Sequence, residues 1–297
     1  MHEVTNMIPQ LGLVCITQSN EVRYRTITRK RLLQQTQTEQ QALLAELYTS
    51  NLNQLHAALR YCKREAISLY RIPSSIFPFS DDDMGRDLLA SMAEKMAAIG
   101  EWATANAIRL VMHPDQFVVL SSDSDNVVQN SITILQMHAD IMDLLKQPRS
   151  PWALVEIHGG KAGRSEKLID VIGSLPDGIR TRLALENDEY AYSAEQIVEV
   201  CKAAGVPMVF DAHHHVIKEG LTSFEHPSVA EMLGKARETW ADPSHQLTHI
   251  SNGRTGFNDR AHADFIEVMP SSYRQAPWIE IEAKFKELAI QKVRAAM

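Results

Sequence analysis

Six short apolar runs in this chain each end in a histidine or a carboxylate. "VMHPDQ" reaches His113, "VEIHGG" His158, "LALENDE" Glu186, "VFDAHHH" Asp211 with His214 three residues on, "LTHISN" His249 and "IEIEAK" Glu282. His262, in "AHADF", is an eighth candidate. Imidazoles gathered in one place repel one another if protonated, and desolvated carboxylates do not stay ionised without compensation. Divalent cations resolve both problems by taking neutral imidazole nitrogen and carboxylate oxygen as ligands. So many donors exceed the needs of one tetrahedral ion and suit two or three ions with a bridging carboxylate. Singly, each residue could be a hydrogen-bonded strand-end histidine or a solvated loop charge. Six such coincidences at the same point of the strand period argue for a cluster. His213 and His215 alternate with His214 and are expected to point elsewhere. His2, His56, His138, His226 and His245 are read as structural or exposed.

Donors so far apart in sequence need a scaffold that brings strand ends to one face. Strand-like runs at 10–17, 66–72, 108–113, 153–158, 182–187, 207–212, 246–251 and 278–283 alternate with helical patterns such as 87–107, 127–147 and 193–205. The last has Ser193 as N-cap and Gly205 as terminator. A Gln-rich stretch at 32–48 has apolar residues at helical spacing. Eight strands alternating with helices predict an α/β fold, a single (β/α)8 TIM barrel over 1–297, whose active site would sit at the C-terminal strand ends. A doubly wound open sheet would call for a glycine-rich loop after the first strand, and "CITQSNEVRYR" has no glycine.

Composition narrows the class. No apolar run approaches the roughly 20 residues of a membrane span. Residues 1–14 lack the basic-then-apolar order of a signal peptide, so a cytoplasmic protein is expected. Cys15, Cys62 and Cys201 show no metal spacing and read as reduced thiols. The net charge of -7 argues against a broad nucleic-acid footprint, although bound divalent ions would add positive charge locally.

The motifs "LGLVCIT", "NLNQLHAALRYCKREAISLYRIPSSIFPF", "MHPDQF", "EIHGG", "LALENDE", "VFDAHHH", "THIS", "AHADF" and "EIEAKFKE" lie in order along nearly the whole chain. In them the sequence resembles the UV damage endonuclease family. The resemblance implies a TIM barrel related to endonuclease IV and to xylose-isomerase-like enzymes. It implies two or three divalent ions, manganese or zinc first and magnesium as a further option. Their ligands would be His113, His158, Glu186, Asp211, His214, His249, His262 and Glu282. Glu186 is implied as the bridging carboxylate and, with His113 and His158, as the catalytic centre. The implied substrate is damaged double-stranded DNA, incised immediately 5′ to a UV photoproduct to leave 3′-hydroxyl and 5′-phosphate ends. Gln116 and Phe117 would probe the distorted duplex. A monomer, cytoplasmic or nucleoid-associated, is expected.

Three positions depart from the family pattern. Leu247 stands where some members carry a metal-binding lysine, Phe117 where the probing aromatic is Tyr, and Ser75 near where some have His. Arg71, Lys161, Arg254 and Lys284, just after strands, are the expected phosphate-facing cations. A metal-dependent sugar isomerase or epimerase on the same barrel is the alternative, and a metal-storing barrel is a non-enzymatic one.

Overall fold

Side chains along a strand alternate between two faces, and in this protein both faces are buried. The computed structural model describes residues 8–297. Eight parallel strands pair in chain order and close into a barrel. They are β1 (Gln10–Val14), β2 (Leu69–Pro73), β3 (Arg109–His113), β4 (Val155–His158), β5 (Leu183–Glu186), β6 (Met208–Asp211), β7 (Leu247–Ile250) and β8 (Trp278–Ile281). The expected (β/α)8 barrel is present. The readings of the first residues as leader-free and of His2 as structural fall on positions outside the described part. No helix among the described residues is long and apolar enough to cross a membrane.

Several element boundaries differ from expectation. β1 stops at Val14 rather than at 17 because Cys15 adopts a φ of 66°. β2 starts at Leu69 rather than at 66 because Ala66 turns left-handed, with a φ of 52°. The Ile67 amide then returns to the Cys62 carbonyl at 2.8 Å. This closes the helix Gln37–Arg64, which opens on a Thr36–Glu39 capping box and runs well past the 32–48 pattern. The single helix expected over 87–107 is two, Asp83–Ser91 and Ala93–Ala105. The chain tightens between them, where the Met92 amide reaches back to the Leu89 carbonyl at 2.9 Å. Helix Ala194–Ala204 has the expected ends, a Ser193–Gln196 capping box and Gly205 at a φ of 69°.

The barrel interior is layered. Leu69, Val111, Leu154, Ala184, Val209 and Leu247 pack with Trp240 and Trp278 into an apolar layer. Their outward neighbours, such as Tyr70, Leu110, Leu185 and Phe210, join the larger core against the helices. Arg109 plugs the N-terminal end and is fully buried. Its Nε donates to the Trp152 carbonyl at 2.7 Å, Nη1 to that of His245 at 2.9 Å and Nη2 to that of Pro151 at 2.9 Å. Its guanidinium also lies over the rings of Trp152, Trp278 and Trp240. Polar chemistry is thereby left to the opposite mouth.

The plug can be tested. Arg109→Met keeps bulk but strips donors from three partly buried carbonyls, each costing about 1–3 kcal/mol when orphaned. Urea unfolding should show a loss of at least about 3 kcal/mol. A variant as stable as the parent would show that the barrel floor does not depend on this residue.

Candidate functional site

The register sets the floor of the mouth. His158 pairs with Glu186, Asp211 with His249, and His249 with Glu280. His113, His158, Glu186 and Asp211 each end their strand, His249 is one residue short of its end, and Glu282 follows β8 directly. Glu186 lies at the centre and is buried. Its Oε2 is 3.1 Å from His113 Nε2 and 3.6 Å from His158 Nε2. Its Oε1 is 3.1 Å from His249 Nδ1 and 3.4 Å from His214 Nδ1.

Local structure aims these groups. Asp211 caps the helix Ala212–Lys218 by accepting from the His214 amide at 2.7 Å. His214 is therefore brought in on the first helical turn. His213 and His215 do point elsewhere, but because they are helical rather than strand residues. His213 meets Ser251 Oγ at 2.6 Å, and His215 meets Ser228 Oγ at 3.0 Å. Asn187 clamps β5 to β6, donating to the Asp211 carbonyl at 2.9 Å and accepting from the Asp211 amide at 3.0 Å. Asp188 gathers the amides of Tyr190, Ala191 and Tyr192, which folds the loop after β5.

These donors fit divalent ions. Three compact groups form at the mouth: His113 with His158 and Glu186, Glu186 with Asp211 and His214, and Asp211 with His249 and Glu282. Two donors on one ion at about 2.1 Å each lie roughly 3 Å apart, which is the spacing around Glu186. His113 Nδ1 is engaged by the Pro114 carbonyl at 2.8 Å and His214 Nδ1 by that of Asn187 at 2.9 Å. The His113 ring thus presents Nε2 to Glu186, and the His214 ring has its free Nε2 3.7 Å from Glu189 Oε2. Asp211 Oδ2 and His158 Nδ1 are buried with no hydrogen-bond partner. His262 stands further out, with Nε2 3.8 Å from Glu282 Oε2, at the half-exposed rim of the cluster.

The electrostatics agree. Burial penalises the Glu186 carboxylate, yet the surrounding imidazoles, His249 and His158 first, hold it well below the usual range. Burial likewise opposes charge on His249 and His214, but the facing carboxylates raise both. Burial keeps His158 on the neutral side. Cations take neutral imidazole as ligand, so their binding here would compete with protons on these rings.

The expectations for the rim need correction. Arg71 is not a phosphate-facing cation: it is buried in the barrel, paired with Glu156, Glu280 and Glu282. Sequence reasoning missed Glu156 and Glu280. Each lies two residues before a candidate ligand, His158 and Glu282, and strand parity alone puts it on the same inward face. Lys161 is exposed but paired with Asp123, and Lys284 lies 3.7 Å from Asp264. Arg254 is exposed, and no carboxylate is within ion-pair distance among the described residues. Leu247 belongs to the apolar layer, and Ser75 is exposed.

The loop after β3 carries Gln116 and Phe117 outward, and Phe117 is 80% exposed. Beside it lies a cavity of about 350 Å³ whose lining includes Gln116, His158, Lys161, Tyr190 and Arg260. The Arg260 guanidinium sits 3.6 Å from the centroid of the Tyr190 ring and pairs with Glu189.

The profile of the UV-endonuclease UvdE family matches residues 9–296. A UV DNA damage endonuclease of Nostoc sp. is 54% identical over 292 residues, covering 98% of this chain and 91% of the relative. One of Deinococcus radiodurans is 46% identical over 297 residues, covering 99% of this chain and 97% of the relative. The crystal structure of SacUVDE shares the fold, with a TM-score of 0.77 at 24% identity over 97% of this chain and 99% of that one.

Glu186→Gln keeps the shape of the central side chain but removes the charge shared by two donor groups. Elemental analysis after loading with Mn²⁺ should show metal lost, while circular dichroism shows the barrel intact. Unchanged metal content would remove Glu186 from the ligand set.

Proposed function

The chain belongs to the UV-endonuclease UvdE family, and from that premise we propose that it is a single-domain, metal-dependent endonuclease. It would incise damaged duplex DNA immediately 5′ to a UV photoproduct and leave 3′-hydroxyl and 5′-phosphate ends. The observation that carries this reading is Phe117, an aromatic side chain 80% exposed on a loop that leaves β3 at candidate ligand His113. Such a side chain gains when it enters a stack. A crosslinked, partly unstacked step leaves room for it and costs less to deform than intact duplex. Phenylalanine in place of tyrosine keeps the stacking surface and loses the hydroxyl.

Divalent ions, manganese or zinc being suited to mixed imidazole and carboxylate donors, supply Lewis acidity toward phosphate and water when bound. The chain's own residues do the rest. Glu186 holds two donor groups within the span of one carboxylate. His113 and His214 are fixed in the tautomer that offers Nε2. Gln116, Tyr190 and Arg260 line the cavity next to His158, where displaced bases would be shielded from water. The same reading makes the enzyme a cytoplasmic monomer working at the nucleoid.

An acidic chain needs a local grip on phosphate. The loop after β1 runs "RYRTITRKR" from Arg23 to Arg31 and emerges on the same face as the site. Arg25 and Arg29 are paired with Glu46 and Asp82. Lys30 and Arg31 are exposed and have no such partner among the described residues. With Arg254, whose Nε donates to the His262 carbonyl, they are the cations that would meet the DNA backbone.

Nicking of UV-irradiated supercoiled plasmid tests the function. Activity should require Mn²⁺ or Zn²⁺, vanish on chelation and spare undamaged plasmid; full nicking by metal-free protein would end the metal-dependent reading. Stacking on a base is worth roughly 1–3 kcal/mol. Phe117→Ala should therefore weaken binding to damaged duplex about ten- to a hundredfold with metal content unchanged. An equal loss on undamaged duplex would make the residue a general contact rather than a probe. In a salt series, log K should fall with log salt at a slope near about -3 to -4, at about -0.9 per phosphate contact. Replacing Lys30 and Arg31 together by alanine should reduce its magnitude by about 2. An unchanged slope would place the phosphate contacts elsewhere.

A further inference from the structure

A fourth donor group lies one layer below the mouth, on the barrel axis. Glu156, His249 and Glu280 bring two carboxylates and an imidazole as close together as the three groups above. All three residues are fully buried. Both oxygens of Glu156 and Oε1 of Glu280 have no hydrogen-bond partner. By donor type and spacing this would be a divalent-ion site, but a guanidinium occupies it. Arg71 Nε donates to Glu280 Oε2 at 2.8 Å, and Nη2 lies 3.3 Å from Glu156 Oε1 and 2.9 Å from His249 Nε2. Its remaining terminal nitrogen, Nη1, reaches upward to Glu282 Oε1 at 2.6 Å.

We propose that Arg71 is a resident cation that takes the place of an ion in this lower group, bars metal from it, and positions Glu282 and His249 for the group above. The chemistry of the side chain suits that role. A guanidinium cannot lose its proton in a protein and is tied to the chain, so it neutralises the lower layer whether or not metal is available. Its planar fork reaches Glu280 on β8 and Glu282 just after it at once. His249 is the shared element: Nδ1 faces Glu186 and Nε2 faces Glu280 at 2.7 Å. A carboxylate behind the distal nitrogen turns the other nitrogen of a histidine toward a metal. An ion in the lower group would claim Nε2 and pull Glu280 and His249 down, away from the mouth. Arg71 is thus a positioning residue, and it accounts for an arginine inside an otherwise acidic layer.

This inference rests on reading the three upper groups as metal ligands, and one experiment separates the two. Metal-free protein is loaded with Mn²⁺, desalted and analysed for bound manganese, with thermal unfolding followed with and without Mn²⁺. The count in the unaltered protein tests the upper groups; the difference between it and the Arg71 variants tests the proposal. Arg71→Ala should bind one more equivalent of Mn²⁺ than the parent and gain more thermal stability from it. Arg71→Lys, which keeps the charge, should retain the parent count. Adding Glu280→Gln to Arg71→Ala should also return the count to that of the parent. If Arg71→Ala does not fold without metal, it should fold when Mn²⁺ is present, and the double variant, with one buried charge fewer, should fold without it. A folded Arg71→Ala with the parent's count would overturn the proposal, as would a variant that neither Mn²⁺ nor Glu280→Gln restores.

Discussion

Compensation of buried negative charge is the constraint on which the upper half of this barrel depends. Glu156, Glu186, Asp211, Glu280 and Glu282 all converge there, four of them with almost no exposure. Burial favours their neutral forms. Nevertheless Glu186, Glu280 and Glu282 are held below the ordinary carboxylate range, by Arg71 for the last two and by the imidazoles around them. Such an arrangement is poor value as a source of stability, since desolvating the charges offsets most of their attraction. It suits a holder of cations, and Arg71 is one such cation built into the chain.

The rest of the fold insulates this layer. Below it, aliphatic side chains and two tryptophans fill the barrel, and Arg109 closes the far end with carbonyls and aromatic rings. Above it, loops are braced against each other rather than left free. A Cβ at Gly159 would meet the Tyr192 ring at 2.5 Å, and Gly160 takes a φ of 82° that favours glycine. The loop after β4 therefore lies tightly on the loop after β5, where Asp188 binds three successive amides. Closing the barrel mouth in this way keeps His158 level with Glu186, its strand partner.

The acidic net charge and a nucleic-acid substrate are compatible on this geometry. Acidic surface elsewhere does not prevent a local positive field at a concave mouth once divalent ions are bound there. The rim adds Arg254, Lys30 and Arg31, while the nearby Lys161 is held by Asp123. Selectivity then falls to shape and deformability. On the proposed function, exposed Phe117 and the cavity beside His158 would respond to distortion rather than to base identity.

Much of this was legible in the sequence. Period-two runs ending in His113, His158, Glu186 and Asp211 specified a parallel barrel with its chemistry at the C-terminal face, because strand parity and the barrel's polarity are local consequences of the chain. The clustering of His249 and Glu282 with them followed from the same rule. The break at Met92, the early end of β1 at Cys15 and the partners of Arg71 were not legible. Parity assigns Arg71, Glu156 and Glu280 to the inner face, but only closure of the sheet decides that they meet. Arg71 and Glu280 are 209 residues apart and become neighbours because β8 returns to β1 beside β2. Their pairing is a property of barrel stagger, which no local pattern encodes, and it separates a cation at the rim from one buried against Glu156, Glu280 and Glu282.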